Sequence, residues 1–171
     1  MTASSASPRL LSLDAFRGAT IAGMIMVNNP GTWSAIYPQL RHAAWHGWTF
    51  TDFIFPFFLW IVGVAMTLSF AKRVEGGAAK GKLVLHVIRR AVIIFGLGLF
   101  LAGFPFGLFG PERTLADIFS TIRIPGVLQR IAVCYLIASV IYLYTGLRGQ
   151  VIWLIGLLAG YWLLVWLVPV P

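Results

Sequence analysis

Long apolar runs, separated by short clusters of charge, proline and glycine, set the plan of this chain. Five of them approach the roughly 20 mostly apolar residues that cross a bilayer. They cover residues 10–27, 50–70, 87–104, 127–144 and 151–168. Their apolar positions lack the strict alternation of barrel strands, so the pattern predicts helices. The expected fold class is all-α, a polytopic transmembrane helix bundle of about five spans. The end of the third run is blurred by Gly103, Pro105 and Gly107. The first resembles a signal peptide in place only. Asp14 and Arg17 interrupt its apolar stretch and no small-residue cleavage site follows, so it reads as a retained span.

The connecting segments differ in character. Residues 1–9 form a short, mostly polar tail. "KRVEGGAAKGK" (Lys72 to Lys82) reads as a basic loop whose glycines stop the second helix. "KLVLHVIRR" (Lys82 to Arg90) then brings His86, Arg89 and Arg90 to an interface, where long basic side chains snorkel to headgroups. The stretch from Gly103 to Gly126 mixes Phe, Pro and Gly with Glu112, Arg113, Asp117 and Arg123. It is neither a span nor an ordinary polar loop, and it suits an interfacial or re-entrant path.

Composition makes the membrane reading firm. Apolar residues are 59 % of the 171 and charged residues 11 %, with a mean hydropathy of +0.87. A soluble domain averages about 25 % charged residues. Lys and Arg also set the expected orientation. With the N-terminus inside, Arg9, Lys72, Arg73, Lys80, Lys82, Arg89, Arg90 and Arg148 fall on the inner side, against Arg41, Arg113 and Arg123 outside. The net charge of +8 therefore needs no nucleic-acid partner. Topology and anionic inner-leaflet lipid account for it. Cys134, the single cysteine, lies mid-span and reads as core filling.

Several charges stand where lipid should be. Asp14 and Arg17, three residues apart, share a helix face and can pair. They either mark the start of the first helix or line a polar pocket. Arg130 enters a span from the outer side and needs an acid, a set of carbonyls or an anionic ligand. If its helix starts early, Arg123 lies about two turns away on the same face, and the two guanidinium groups can grip a phosphate. The alternative is structural pairing with Asp14, Asp52 or Asp117.

The richest chemistry lies in "LRHAAWHGWTFTDFIFPFFLW" (Leu40 to Trp60). His42 and His46 have the spacing of two metal ligands, with Asp52 as a third. No HExxH or cysteine set sharpens that reading, and no metal is expected. Trp33, Trp45 and Trp48 suit an interfacial aromatic belt, which leaves the histidines and Asp52 unexplained. Acid–base or nucleophilic catalysis uses them: an imidazole takes a proton or carries an acyl group, and Asp52 orients it. Asn28 and Asn29, at the same outer face, can donate to a developing oxyanion. "NNPG" is equally an ordinary turn. Residue chemistry alone leaves the belt and catalysis level.

Four motifs add a resemblance. "SLDAFRG" (Ser12 to Gly18), "MIMVNNPG" (Met24 to Gly31), "RHAAWHGWTFTDFIFPFFLWIVG" (Arg41 to Gly63) and "RIPGVLQRIAVCYL" (Arg123 to Leu136) occur in order. They resemble the heparan-α-glucosaminide N-acetyltransferase family and its bacterial relatives. The resemblance implies a multi-pass enzyme of the bacterial inner membrane with a cytoplasmic N-terminus. Such an enzyme takes acetyl from cytoplasmic acetyl-CoA and gives it to an amino-sugar or sugar-like acceptor at the outer face. It implies His42 as the catalytic histidine, with Asn28 and Asp52 beside it. Arg123 and Arg130, together with Arg17, become candidates for contacting the CoA phosphates. His46 departs from the lysosomal members, which carry asparagine there, and is not expected to be essential. The family region has roughly twice as many spans of about 20 residues each. Residues 10–171 are thus expected to be the N-terminal part of a larger transmembrane domain. An assembly of identical copies is compatible with this reading. The competing classes are a transport or binding module for an anionic sugar or ion, and an inactive truncated fragment.

Overall fold

A computed structural model describes residues 10–44, 47–103 and 126–168. Among them are five α-helices and one 3-10 turn, and no strand. The helices are α1 (Leu11–Asn28), α2 (Phe50–Glu75), α3 (Lys80–Gly103), α4 (Val127–Tyr144) and α5 (Leu147–Leu167), with the turn at Pro38–Leu40. The helices α2 to α5 are long and apolar enough to cross a membrane. This is the architecture of a multi-pass membrane protein. The first expected span, α1, is helical over 18 residues but carries the charged pair and is not among those four.

Helix ends follow local chemistry. Gly77, at φ +75°, takes the left-handed conformation that closes α2. Around it Ala78 N–H donates to Arg73 O, and Gly77 N–H to Val74 O, each at 3.0 Å. The next helix begins at once, at Lys80, earlier than the apolar run starting at residue 87 suggests. Of the expected loop 72–82, Lys72–Glu75 therefore belong to α2 and Lys80–Lys82 to α3, leaving only residues 76–79 between the helices. In α4 the extended Gly126 precedes Val127, and the helix stops before Thr145 and Gly146. Its bounds coincide with the apolar run.

The chain divides into two compact units, Met1–Ala65 and Met66–Pro171. In the first, Gly23 of α1 approaches so closely to α2 that a Cβ there would sit 2.8 Å from Ile54 Cδ1. Further along, Phe16 meets Phe57 and Trp60 edge-on at 5.3 and 5.7 Å. Residue 23 thus lies level with 50–54 and residue 16 with 57–60. This antiparallel register brings Asn28 to the same end as the start of α2.

In the second unit, Leu83, Val87, Ala91 and Gly98 form the buried face of α3. They pack on α4, whose Gln129, Ile131, Ala132, Tyr135 and Ser139 are buried. Gly98 lets the two helices close up: a Cβ there would meet Gln129 at 2.8 Å and Leu128 Cβ at 2.9 Å. Small residues at such a seam are how membrane helices gain contact, since lipid removes the hydrophobic drive between them. Ser139 Oγ donates to Met66 Sδ at 2.9 Å in the same core. Cys134 is exposed, which corrects its reading as core filling. It lies on the outer side of α4, one residue before the buried Tyr135. No residue of α5 is buried.

Candidate functional site

The start of α2 is built around one carboxylate. Asp52 stands in the first turn, three residues after Thr49. Its Oδ2 accepts the Thr49 N–H at 2.9 Å and the Ala43 N–H at 3.2 Å. An acidic side chain reaching back to the residue before a helix satisfies a donor that the helix cannot, and its charge suits the helix dipole. The Thr49 hydroxyl lies 2.7 Å from Arg41 O and 3.1 Å from the same Oδ2. One turn further, Pro56 has no N–H to donate to the Asp52 carbonyl.

These contacts fold residues 40–44 back over the helix start. The buried Thr51 donates its hydroxyl to Leu40 O at 2.7 Å, tying the segment from its other side. His42 is thereby held with Nδ1 2.6 Å from Asp52 Oδ1. An ionised carboxylate only accepts, so Nδ1 is the donor in this contact, and in the neutral imidazole Nε2 then carries the lone pair. The imidazole is open, its side chain 75 % exposed against 29 % for Asp52. Chemically this is a base or nucleophile whose tautomer is set by an orienting acid.

The remaining candidates are placed unevenly. Asn28 is the last residue of α1 and is exposed at the same end as Asp52. Among the described residues it makes no hydrogen bond with His42 or Asp52. Its neighbour Asn29 is occupied, donating Nδ2–H to Ile25 O at 2.8 Å. Arg17 lies about 16 Å from Asn28 along α1 and pairs with Asp14 at 3.3 Å. A cleft of about 270 Å³ opens beside them, lined by Leu10, Ser12, Leu13, Phe16, Trp60 and Val64. Neither charged residue lines it, and Asp14 stands in the first turn of α1, where the pair marks the helix start.

Arg130 is exposed on α4 and forms no ion pair among the described residues. Asp14 and Asp52, two of the acids considered for it, are engaged by Arg17 and His42. Arg123 and Asp117 lie outside the described residues, as do Trp45 and His46. The continuous helix that would set Arg123 and Arg130 on one face is not formed, because Gly126 is extended before α4 begins. No group of three metal-ligating side chains occurs among the described residues. Trp48 is exposed and packs edge-on to Phe53 at 4.6 Å, beside the His42 segment.

Two contributions were not read from sequence. Thr49 and Thr51 hold the histidine segment through hydroxyls, and the TxTD spacing is their only trace. Gln129, noted beside Arg130, proves to be buried against Gly98, with Nε2 unpartnered among the described residues.

Comparison with known proteins points the same way as the motifs. Residues 9–167 match the family model of the heparan-alpha-glucosaminide N-acetyltransferase catalytic region. The human heparan-alpha-glucosaminide N-acetyltransferase is 33 % identical over 137 residues, covering 80 % of this chain and 19 % of that protein. The mouse protein of the same name is 32 % identical over 141 residues, covering 82 % and 20 %. The chain spans about a fifth of the length of these relatives. With a match across nearly all of its described helices, the chain belongs to the heparan-alpha-glucosaminide N-acetyltransferase catalytic family.

Proposed function

We propose that this chain carries the histidine site of a membrane acetyltransferase. In the whole protein it forms part of a larger transmembrane domain, with its N-terminus in the cytoplasm of a bacterial cell. Acetyl-CoA on the cytoplasmic side is the donor, and an amino-sugar or similar acceptor at the outer face receives the acetyl group. The observation that carries this reading is the 2.6 Å contact of His42 Nδ1 with Asp52, which leaves Nε2 open. Membership of the family supports the reaction type.

In the proposed step the acceptor amine attacks the thioester carbon, and the new C–N bond forms as the C–S bond breaks. His42 Nε2 takes the amine proton and returns it to the departing thiolate, giving the acetamide and free CoA. Asp52 steadies the imidazole in its cationic interval, a contribution of the kind worth about 10²–10⁴ in rate. Asn28, at the same helix end, donates to the carbonyl oxygen as negative charge builds there. Arg130, with no ion pair among the described residues, is available to a CoA phosphate, and Arg123 is proposed for the same role. Arg17 is the weakest of the three for that role, since Asp14 already holds it.

Acetyl-labelled acetyl-CoA, supplied with an amino-sugar to the full-length protein in vesicles, tests the proposal. Labelled acetamide product is expected. Flux of the sugar without any acetylated product would overturn the proposal and assign a transporter.

A further inference from the structure

Helix α3 carries a stripe of basic side chains that nothing among the described residues neutralises. Lys82, His86 and Arg89 recur at the spacing of one helix face, and all three are exposed. They flank the buried line of Leu83, Val87 and Ala91. Neighbouring cations on the same helix are engaged. Arg90 lies over the Tyr135 ring at 5.3 Å, and Lys80 over Tyr144 at 5.9 Å. Among the described residues, no hydrogen bond, ion pair or ring contact holds Lys82, His86 or Arg89.

The geometry points to a binding site for the phosphate headgroup of an anionic phospholipid on this stripe. Two observations select a lipid over a soluble anion. The first is depth. At 24 residues α3 is about 36 Å long against a hydrocarbon core of about 30 Å. With the excess length at its basic end, about one turn would project beyond the core, putting Lys82 at headgroup level and the exposed His86 and Arg89 one to two turns deeper. A cation in that position is costly unless it reaches an anion at the interface.

The second observation is the order of chemistry along the stripe. Below Arg89 the same face continues as Ile93 and Leu97, 51 % and 54 % exposed. Gly96 between them leaves open space where a side chain would stand. A polar head followed by an apolar track matches an amphiphile lying along the helix. Lys82 and Arg89 would clamp the phosphate oxygens, with His86 between them as a hydrogen-bond donor, and the acyl chain would follow Ile93 to Leu97. This site is independent of the His42 chemistry.

Native mass spectrometry of the full chain, released from nanodiscs of phosphatidylcholine with a minority of phosphatidylglycerol, tests the inference. Phosphatidylglycerol should be retained well above its share of the bilayer. At about a fivefold effect for each basic residue near the surface, K82Q or R89Q alone should cost roughly fivefold and the double variant roughly thirtyfold. K82R/R89K should keep the enrichment, as should R148Q, which removes a cation from a different helix. Unchanged enrichment in K82Q/R89Q would overturn the inference, as would an equal loss in R148Q. Displacement of the lipid by inorganic phosphate would overturn it too, by showing a soluble-anion site.

Discussion

Asp52 divides its carboxylate between His42 and the start of its own helix: Oδ1 meets His42 Nδ1 at 2.6 Å, and Oδ2 takes the N–H groups of Thr49 and Ala43. A helix-capping role and an orienting role usually compete as explanations for an aspartate in a first turn. Here they fall on separate oxygens. The imidazole is therefore positioned by the same group that fixes where α2 begins.

That division makes two substitutions informative. In D52N one oxygen remains to serve the Thr49 and Ala43 amides. The amide nitrogen then faces His42 Nδ1 and forces the proton onto Nε2, the wrong atom for a base. Turnover should fall by about 10² or more while thermal stability changes little. D52A removes the cap as well, so its melt should show a further loss of about 1 kcal/mol. Equal activity in D52N and wild type would detach Asp52 from the chemistry.

Thr51 should act through placement of the histidine segment. T51V keeps the shape but leaves Leu40 O without its 2.7 Å donor. A stability loss of about 1 kcal/mol is expected, with turnover lowered by less than in D52N. Steady-state rates and a thermal melt on the same preparation check both expectations.

Two glycines of α3 should respond in opposite directions. G98A drives a Cβ to 2.9 Å from Leu128 Cβ, an atom fixed to the backbone of α4, and to 2.8 Å from the buried Gln129. Overpacking of this kind costs about 1–3 kcal/mol. G96A meets nothing within 4 Å and replaces the poorer helix former. It should be neutral or stabilising by up to about 1 kcal/mol. Detergent-solubilised melts of the two variants separate these outcomes.

The residue pattern carried the helices well and their surroundings poorly. The bounds of α4 were legible because Pro125–Gly126 and Thr145–Gly146 flank a clean apolar run. The start of α3 was not, since its first two turns are basic and contain Gly81, which an apolar-run criterion treats as loop. Cys134 was misplaced for a related reason. A span surrounded by lipid is apolar all round, so hydrophobic period does not tell its packed side from its outer side. In the site, His42 and Asp52 were legible as residue types, and their contact across residues 43–51 was not, because it depends on the loop fold-back held by Thr49 and Thr51. The Arg123–Arg130 pairing rested on an early helix start, whereas the extended Gly126 begins α4 at Val127 and Arg123 lies outside the described residues.

His46 and metal chemistry give a further check. The family resemblance expects His46 to be dispensable and no metal to take part. H46N should therefore keep most of the wild-type rate, and chelation by EDTA should leave transfer unchanged. A large loss in either experiment would restore the HxxxH reading of residues 42–46.

The central claim is that His42 Nε2 moves the proton in acetyl transfer. Its most direct test is the rate of labelled acetyl transfer from acetyl-CoA to an amino-sugar by H42A in the full-length protein, compared with wild type at matched membrane expression. The account predicts a loss of at least about 10² in turnover with insertion and thermal stability retained, because the exposed imidazole contributes little to packing. Turnover near the wild-type rate in H42A would contradict it.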